Sequence, residues 1–156
     1  MTERRFQVLL VDDDRLFWEL SQAALEQEDG LRNRLRLTYL PDGAEVMPYL
    51  RGEGEYHERE KYPFPELILL DQRMPRQDGT EVLRELRQSD YGLITVCLFS
   101  TSAQAKLLRE AYRLGANFCI RKPLDFDELH VKLAQIVEFF QRVAELPPLE
   151  PEQLVG

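Results

Sequence analysis

A chain of 156 residues with 44% hydrophobic content has the size of one domain around one core, and it carries 28 acidic against 20 basic residues, a formal charge of −8. A field of that sign repels nucleic acid and anionic lipid, which excludes DNA binding by the bulk surface. No apolar stretch is long enough for a signal peptide or a membrane span, and two cysteines within apolar runs, Cys97 and Cys119, read as small buried hydrophobes in a reducing cytoplasm.

Val8 to Val11 form a continuous apolar run that ends in Asp12, Asp13 and Asp14, the pattern of a strand covered on both faces. Asp14 is placed to cap a helix in which Leu16, Leu20, Ala23 and Ala24 recur at helical spacing until Asp29-Gly30 stops it. Leu35 to Tyr39 give a second strand, Pro41-Asp42-Gly43 turns the chain into a short helix ending near Leu50, and Arg51 to Pro65 is a long polar connection. The third strand, Leu67 to Leu70, ends on Asp71; Gly79 to Gln88 follows as a helix with Val82, Leu83 and Leu86 on one face. Ile94 to Phe99 make the fourth strand, Ala103 to Leu114 a helix closed by Gly115, and Phe118 to Ile120 a short fifth strand before Lys122-Pro123. The last helix spans Asp125 to Val143, with Leu129, Leu133, Ile136, Val137, Phe140 and Val143 as its docking stripe, Phe139 at the edge of that stripe and Val131 beyond it.

Five strands alternating with helices predict an α/β fold, a doubly wound five-stranded parallel sheet with helices on both faces. Residues 1–146 are expected to form that domain, and residues 147–156 a Pro-rich tail, extended or disordered. Ligands of such sheets bind at the carboxyl ends of the strands, where the strand order reverses. Asp12 and Asp13 end the first strand, Asp71 the third, Ser100 the fourth and Lys122 the fifth. Carboxylates converging in one crevice repel one another, so either one pKa rises or a cation is required. Mg²⁺ suits the site because it takes one or two carboxylates, keeps waters and completes its shell with phosphate oxygens. A carboxylate there is also a candidate nucleophile in phosphoryl transfer, with Lys122 and Ser100 supplying an ammonium and a hydroxyl for the charge on the transferred group.

Val11-Asp12-Asp13-Asp14, Asp71-Gln-Arg-Met-Pro-Arg-Gln-Asp-Gly79, Ser100 and Lys122-Pro123 resemble, in order and spacing, the signature of the receiver domains of bacterial two-component response regulators, over roughly Gln7 to Val143. The resemblance implies a flavodoxin-like (βα)5 domain that accepts a phosphoryl group on Asp71 from a sensor histidine kinase. It further implies that Asp13 and Asp71 ligate the metal directly, that Asp12 acts largely through water, and that the backbone carbonyl of Arg73 is another ligand. Ser100 matches the switch hydroxyl and Lys122 the lysine that pairs with the phosphoryl group. The long loop before the third strand, with Thr101-Ser102-Ala103, Ala111-Tyr-Arg-Leu-Gly-Ala-Asn117 and Lys122-Pro-Leu-Asp-Phe-Asp127, looks more particularly like the phytochrome-associated single-domain regulators. Where the family carries Tyr or Phe three residues before the lysine, this chain has Cys119; the adjacent Phe118 points to the other face of the strand.

The expected function is therefore that of a phospho-accepting signalling module in the cytoplasm rather than an enzyme. It would switch the binding of a partner or relay phosphate to a phosphotransfer protein, with no nucleic acid or membrane involved and no output domain attached. A homodimer through the last helix and tail is the expected assembly. Two alternatives stay open on the residues: a Mg²⁺-dependent phosphatase with an aspartyl-phosphate intermediate, and a pseudo-receiver that binds without phosphorylation. The first should carry an acid two residues after its nucleophile, where this chain has Arg73. The second would have no use for all three acids, the hydroxyl and the lysine together. Asp78 reads as part of the turn before the third-strand helix, Phe17 and Trp18 as packing or partner contacts, and His57 and His130 as remote from the crevice.

Overall fold

The computed structural model describes residues 4–27, 29–101 and 104–148. Five parallel strands, β1 (Phe6–Val11), β2 (Leu35–Leu40), β3 (Leu67–Asp71), β4 (Thr95–Ser100) and β5 (Phe118–Arg121), lie in the order β2-β1-β3-β4-β5. The order reverses between β1 and β3, which opens the crevice of a doubly wound sheet above their carboxyl ends. Among the described residues, α1 (Arg15–Glu26), α2 (Asp29–Arg34), α3 (Val46–Arg51), α4 (Gly79–Arg87) and α5 (Ala105–Arg113) lie between the strands, and α6 (Phe126–Arg142) follows the last one.

Alternation along each strand divides the interior into two cores. Leu9, Val11, Ile68, Leu70, Val96 and Leu98 pack beneath α3 to α5, and Val8, Leu10, Leu67, Leu69, Cys97 and Phe99 beneath α1, α2 and α6. β3 is buried at every position, which is why its sequence runs apolar rather than alternating.

Three local expectations change. The first helix ends at Glu26, short of Asp29-Gly30, and a second, six-residue helix, α2, starts at Asp29 and carries Leu31 into the core. The buried stripe of α1 is Phe17, Ser21, Ala24 and Leu25, one residue round from the expected one, and Leu16 faces solvent. Ser21 tolerates that position because its hydroxyl donates to the Phe17 carbonyl at 2.7 Å, so no polar group is stranded. Val143 is the C-cap of α6, at φ −115°, and is exposed; the docking stripe ends at Phe140.

The connection from Arg51 to Pro65 contains a 3-10 turn, Gly54–His57, and is stapled by Arg59, which donates to the Tyr49 and Leu50 carbonyls at 2.8 and 2.9 Å and so closes the end of α3. Beyond α6 the chain runs without helix or strand to Pro148, with Pro147 and Pro148 lining a groove beside Phe64, Pro65, Tyr91 and Leu93; the remainder of the tail lies outside the described residues, as does Ala103. No helix among the described residues is long and apolar enough to cross a membrane.

Candidate functional site

β1 delivers Asp12 and Asp13 to the mouth of the crevice, and Asp12 is locked in place by the α1 entry: its Oδ1 accepts from the Asp14 amide at 2.8 Å, while Asp14 caps α1 through the Phe17 amide at 3.2 Å. Asp71 ends β3. The turn that follows is fixed by Asp78, whose Oδ1 accepts from Glu81 N at 3.0 Å and Thr80 Oγ1 at 2.6 Å as the N-cap of α4, and by Gly79, where any Cβ would run into the Asp71 carbonyl oxygen. Asp78 thus shapes the turn, and the glycine is needed for close approach.

Ligand oxygens from Asp12, Asp13 and Asp71 lie within 4.8 Å of one another. Asp12 and Asp71 are buried and Asp13 is exposed, so the cluster has a closed floor and an open rim. Lys122 reaches in from the end of β5, its Nζ 2.7 Å from Asp12 Oδ2 and 4.0 Å from Asp71 Oδ2. Burial, and next the Asp12 charge, push the Asp71 carboxyl up to about 7, against the opposing pull of Lys122 and the Arg73 amide. Burial likewise raises Asp12 despite its Lys122 partner. One ammonium does not balance three acids, and hard oxygen donors at this spacing are what a small divalent cation such as Mg²⁺ or Mn²⁺ takes. Arg73, exposed, lines a shallow hollow with Asp13, Met74, Pro75 and Asp78 beside the cluster.

Ser100 stands one step away from this group. Strand parity turns it toward the α4 side, where its Oγ donates to Gln72 Oε1 at 2.6 Å, both residues being buried. The Lys122 amide donates to the Ser100 carbonyl at 2.9 Å, so hydroxyl and ammonium are joined through one backbone bond. Two neighbours were not singled out as site residues from the sequence. Gln72 is the residue that holds the serine hydroxyl, and Phe17 places its ring under the Lys122 ammonium, 4.5 Å from Nζ to centroid. Cys119 is half-buried against the α3 to α5 core, and its amide donates to Tyr112 Oη at 3.2 Å; Phe118 lies on the opposite face against Phe139 and Phe140.

Comparison with known proteins decides the family. The response regulator receiver domain matches residues 8–134, most of the chain. The protein is a response-regulator receiver. Three relatives bracket it. The probable methanogenesis regulatory protein FilR2 of Methanothrix harundinacea is 34% identical over 139 residues, covering 88% of this chain and 85% of that protein. Response regulator Rcp1 of Synechocystis sp. is 33% identical, with 90% of this chain and 92% of that one covered, and the Mn(2+)-bound form of response regulator Rcp1 superposes with a TM-score of 0.74 at 32% identity, over 92% and 99% of the two chains. The phosphorylated cyanobacterial phytochrome response regulator RcpA superposes with a TM-score of 0.80 at 33% identity, over 93% and 100%. The fold, the receiver family and the likeness to phytochrome response regulators are as the sequence implied.

Proposed function

We propose that this receiver accepts a phosphoryl group on Asp71 from a sensor histidine kinase, of phytochrome type, or from a phosphotransfer protein, and that the charge so introduced switches a partner's binding or is relayed onward. The observation that carries the reading is a buried carboxylate at the crevice with a second buried acid and one ammonium around it, Lys122 Nζ lying 2.7 Å from Asp12 and 4.0 Å from Asp71. Asp12, Asp13 and Asp71, with the Arg73 backbone carbonyl, would hold Mg²⁺; when bound, the cation offsets the charge of the acids and of the phosphoryl oxygens.

An Asp71 carboxylate oxygen attacks phosphorus in line, the bond from phosphorus to the donor nitrogen or oxygen breaks, and the leaving group carries away the electron pair and takes up a proton. Lys122 is within reach of the new anion and turns from Asp12 toward it. Ser100 serves the switched state once its hydroxyl leaves Gln72, and the shared Ser100–Lys122 backbone bond carries that movement into β5. With Cys119 in place of a large ring, the signal leaves through the backbone after β4.

The exposed aromatic edge of β5 and α6, where Phe118 packs edge-on against Phe139 at 6.0 Å, supports the further reading that the receiver pairs as a homodimer through its last helix and tail. Intact-mass measurement with a small phosphodonor tests the function: one phosphoryl adduct is expected with Mg²⁺, and none after chelation. Adduct formation that ignores the metal would sink the assignment. Light scattering tests the assembly, with a dimer that Phe139→Glu converts to monomer as the expected result.

A further inference from the structure

We infer that Phe17 is a positioning residue for Lys122, an uncharged aromatic perch on which the ammonium moves between Asp12 and the group at Asp71. This rests on the reading of Asp71 as phosphoryl acceptor. The Nζ of Lys122 has Asp12 Oδ2 at 2.7 Å, Asp71 Oδ2 at 4.0 Å and the centre of the Phe17 ring at 4.5 Å. An ammonium carries three N–H donors, and here the acids stand on two sides and the ring covers another. The ring cannot drift: Phe17 is 5% exposed and meets Phe99 edge-on, with centroids 5.8 Å apart at 76°. Phe99 is the β4 register partner of Asp71, so the perch and the acceptor are tied to the same pair of strands.

What a ring supplies here, a further carboxylate or an aliphatic side chain does not. Its electron-rich face attracts an ammonium that burial has stripped of water. It carries no net charge, so it adds nothing to the repulsion among Asp12, Asp13 and Asp71. It takes no proton and binds no metal, so its pull on Lys122 is the same before and after Asp71 is modified. Asp12, by contrast, would loosen its hold on the ammonium where a cation, or the water it carries, drew on its carboxylate. The ring then keeps Lys122 inside the crevice and within reach of the new phosphoryl oxygens, where leucine would leave an N–H against hydrocarbon and let the side chain turn out to water.

The test replaces Phe17 by 4-fluoro-, 3,5-difluoro- and 3,4,5-trifluorophenylalanine, which progressively cancel the charge of the ring face with little change in shape. The rate of Asp71 phosphorylation by a small phosphodonor should fall stepwise, by about three- to tenfold across the series, at constant melting temperature. In a Lys122→Met background the series should be flat. A second measurement needs no phosphate: in the metal-free protein the Lys122 ε-methylene protons should show an upfield ring-current shift that Phe17→Leu abolishes. Rates that ignore fluorination, an equal slope without Lys122, or ε-methylene protons at ordinary shifts would each overturn the inference. An unmodified protein that takes no phosphoryl group, yet shows the ring-current shift, would instead overturn the proposed function and with it the purpose assigned to the perch.

Discussion

Two cations are drawn into this fold at opposite ends of the sheet, and they are held in opposite ways. At the carboxyl ends, Lys122 sits among carboxylates and over a ring, at 2.7 and 4.0 Å from Asp12 and Asp71. At the amino ends, Arg87 donates to four neutral oxygens: Gly92 O at 2.7 Å, Ile94 O at 2.6 Å, Gly115 O at 2.9 Å and Asn117 Oδ1 at 2.8 Å. Burial lowers the Arg87 pKa, but a guanidinium stays charged regardless, and its planar fork fits fixed carbonyls. Asn117 also accepts from the Val96 amide at 2.8 Å, and Gly115, at φ +107°, leaves room for the arginine stem. One cation therefore ties two loops, those before β4 and β5, to the end of α4 in a single arrangement, whereas the other has several partners of unequal distance and can change between them. On the proposed function, the arginine serves the fold and the lysine the switch.

The contrast is broken most forcefully at Arg87. Arg87→Met should take the guanidinium donors from the Gly92, Ile94 and Gly115 carbonyls and cost about 3 kcal/mol or more in a urea unfolding experiment, and Arg87→Lys should recover only part of it, because a point charge cannot span the fork. Phosphoryl uptake by the folded fraction should stay near that of the unmodified protein. Lys122→Met should show the reverse: a loss of about 1 to 2 kcal/mol without metal, since Asp12 can take a proton in compensation, close to none with Mg²⁺, and a large loss of response to a beryllofluoride phosphate mimic. If both substitutions cost stability alike and leave the response alike, the division between the two ends fails.

A pH experiment sharpens the carboxyl end. Asp71, whose carboxyl burial and Asp12 raise to about 7, binds its proton more tightly in the folded protein than in the unfolded one. Its contribution is thus full below about pH 4 and is lost as pH rises through about 7. Metal-free protein should lose stability across that window; Mg²⁺ or Asp71→Asn should flatten the slope, and an unchanged slope in Asp71→Asn would place the strain elsewhere. The smallest effect is expected at Gln72. Gln72→Leu removes the acceptor of the Ser100 hydroxyl, 2.6 Å away, and should tighten beryllofluoride binding by about three- to tenfold if that bond holds the serine back. Weaker binding would mean that Gln72 supports the switched state instead.

Much of this is legible in the sequence. Runs such as Leu67-Ile-Leu-Leu70 identify buried strands because a parallel sheet covers both faces, and the acids, Ser100 and Lys122 fall at strand ends, where α/β sheets bind ligands. What stayed hidden depends on contacts that periodicity does not encode. The stripe of α1 could be drawn through Leu16 or Phe17 at equal spacing; the choice is made by Phe99 and Lys122, which are remote in sequence. Gln72 and Ser100 meet across 28 residues, and Arg87 reaches as far as Asn117, 30 residues on. The short α2 is hidden because Asp-Gly reads as the stop of one helix and, here, stands at the start of the next.

The position of the acyl phosphate tests the account most directly. Phosphorylation by a small donor in Mg²⁺, followed by reduction with borohydride and peptide mapping, converts a phosphorylated aspartate into homoserine. Homoserine is expected at position 71, and at that position alone. Its appearance at Asp12, Asp13 or Asp78, or a homoserine yield that persists in Asp71→Asn, would contradict the assignment of the buried β3 carboxylate as the acceptor.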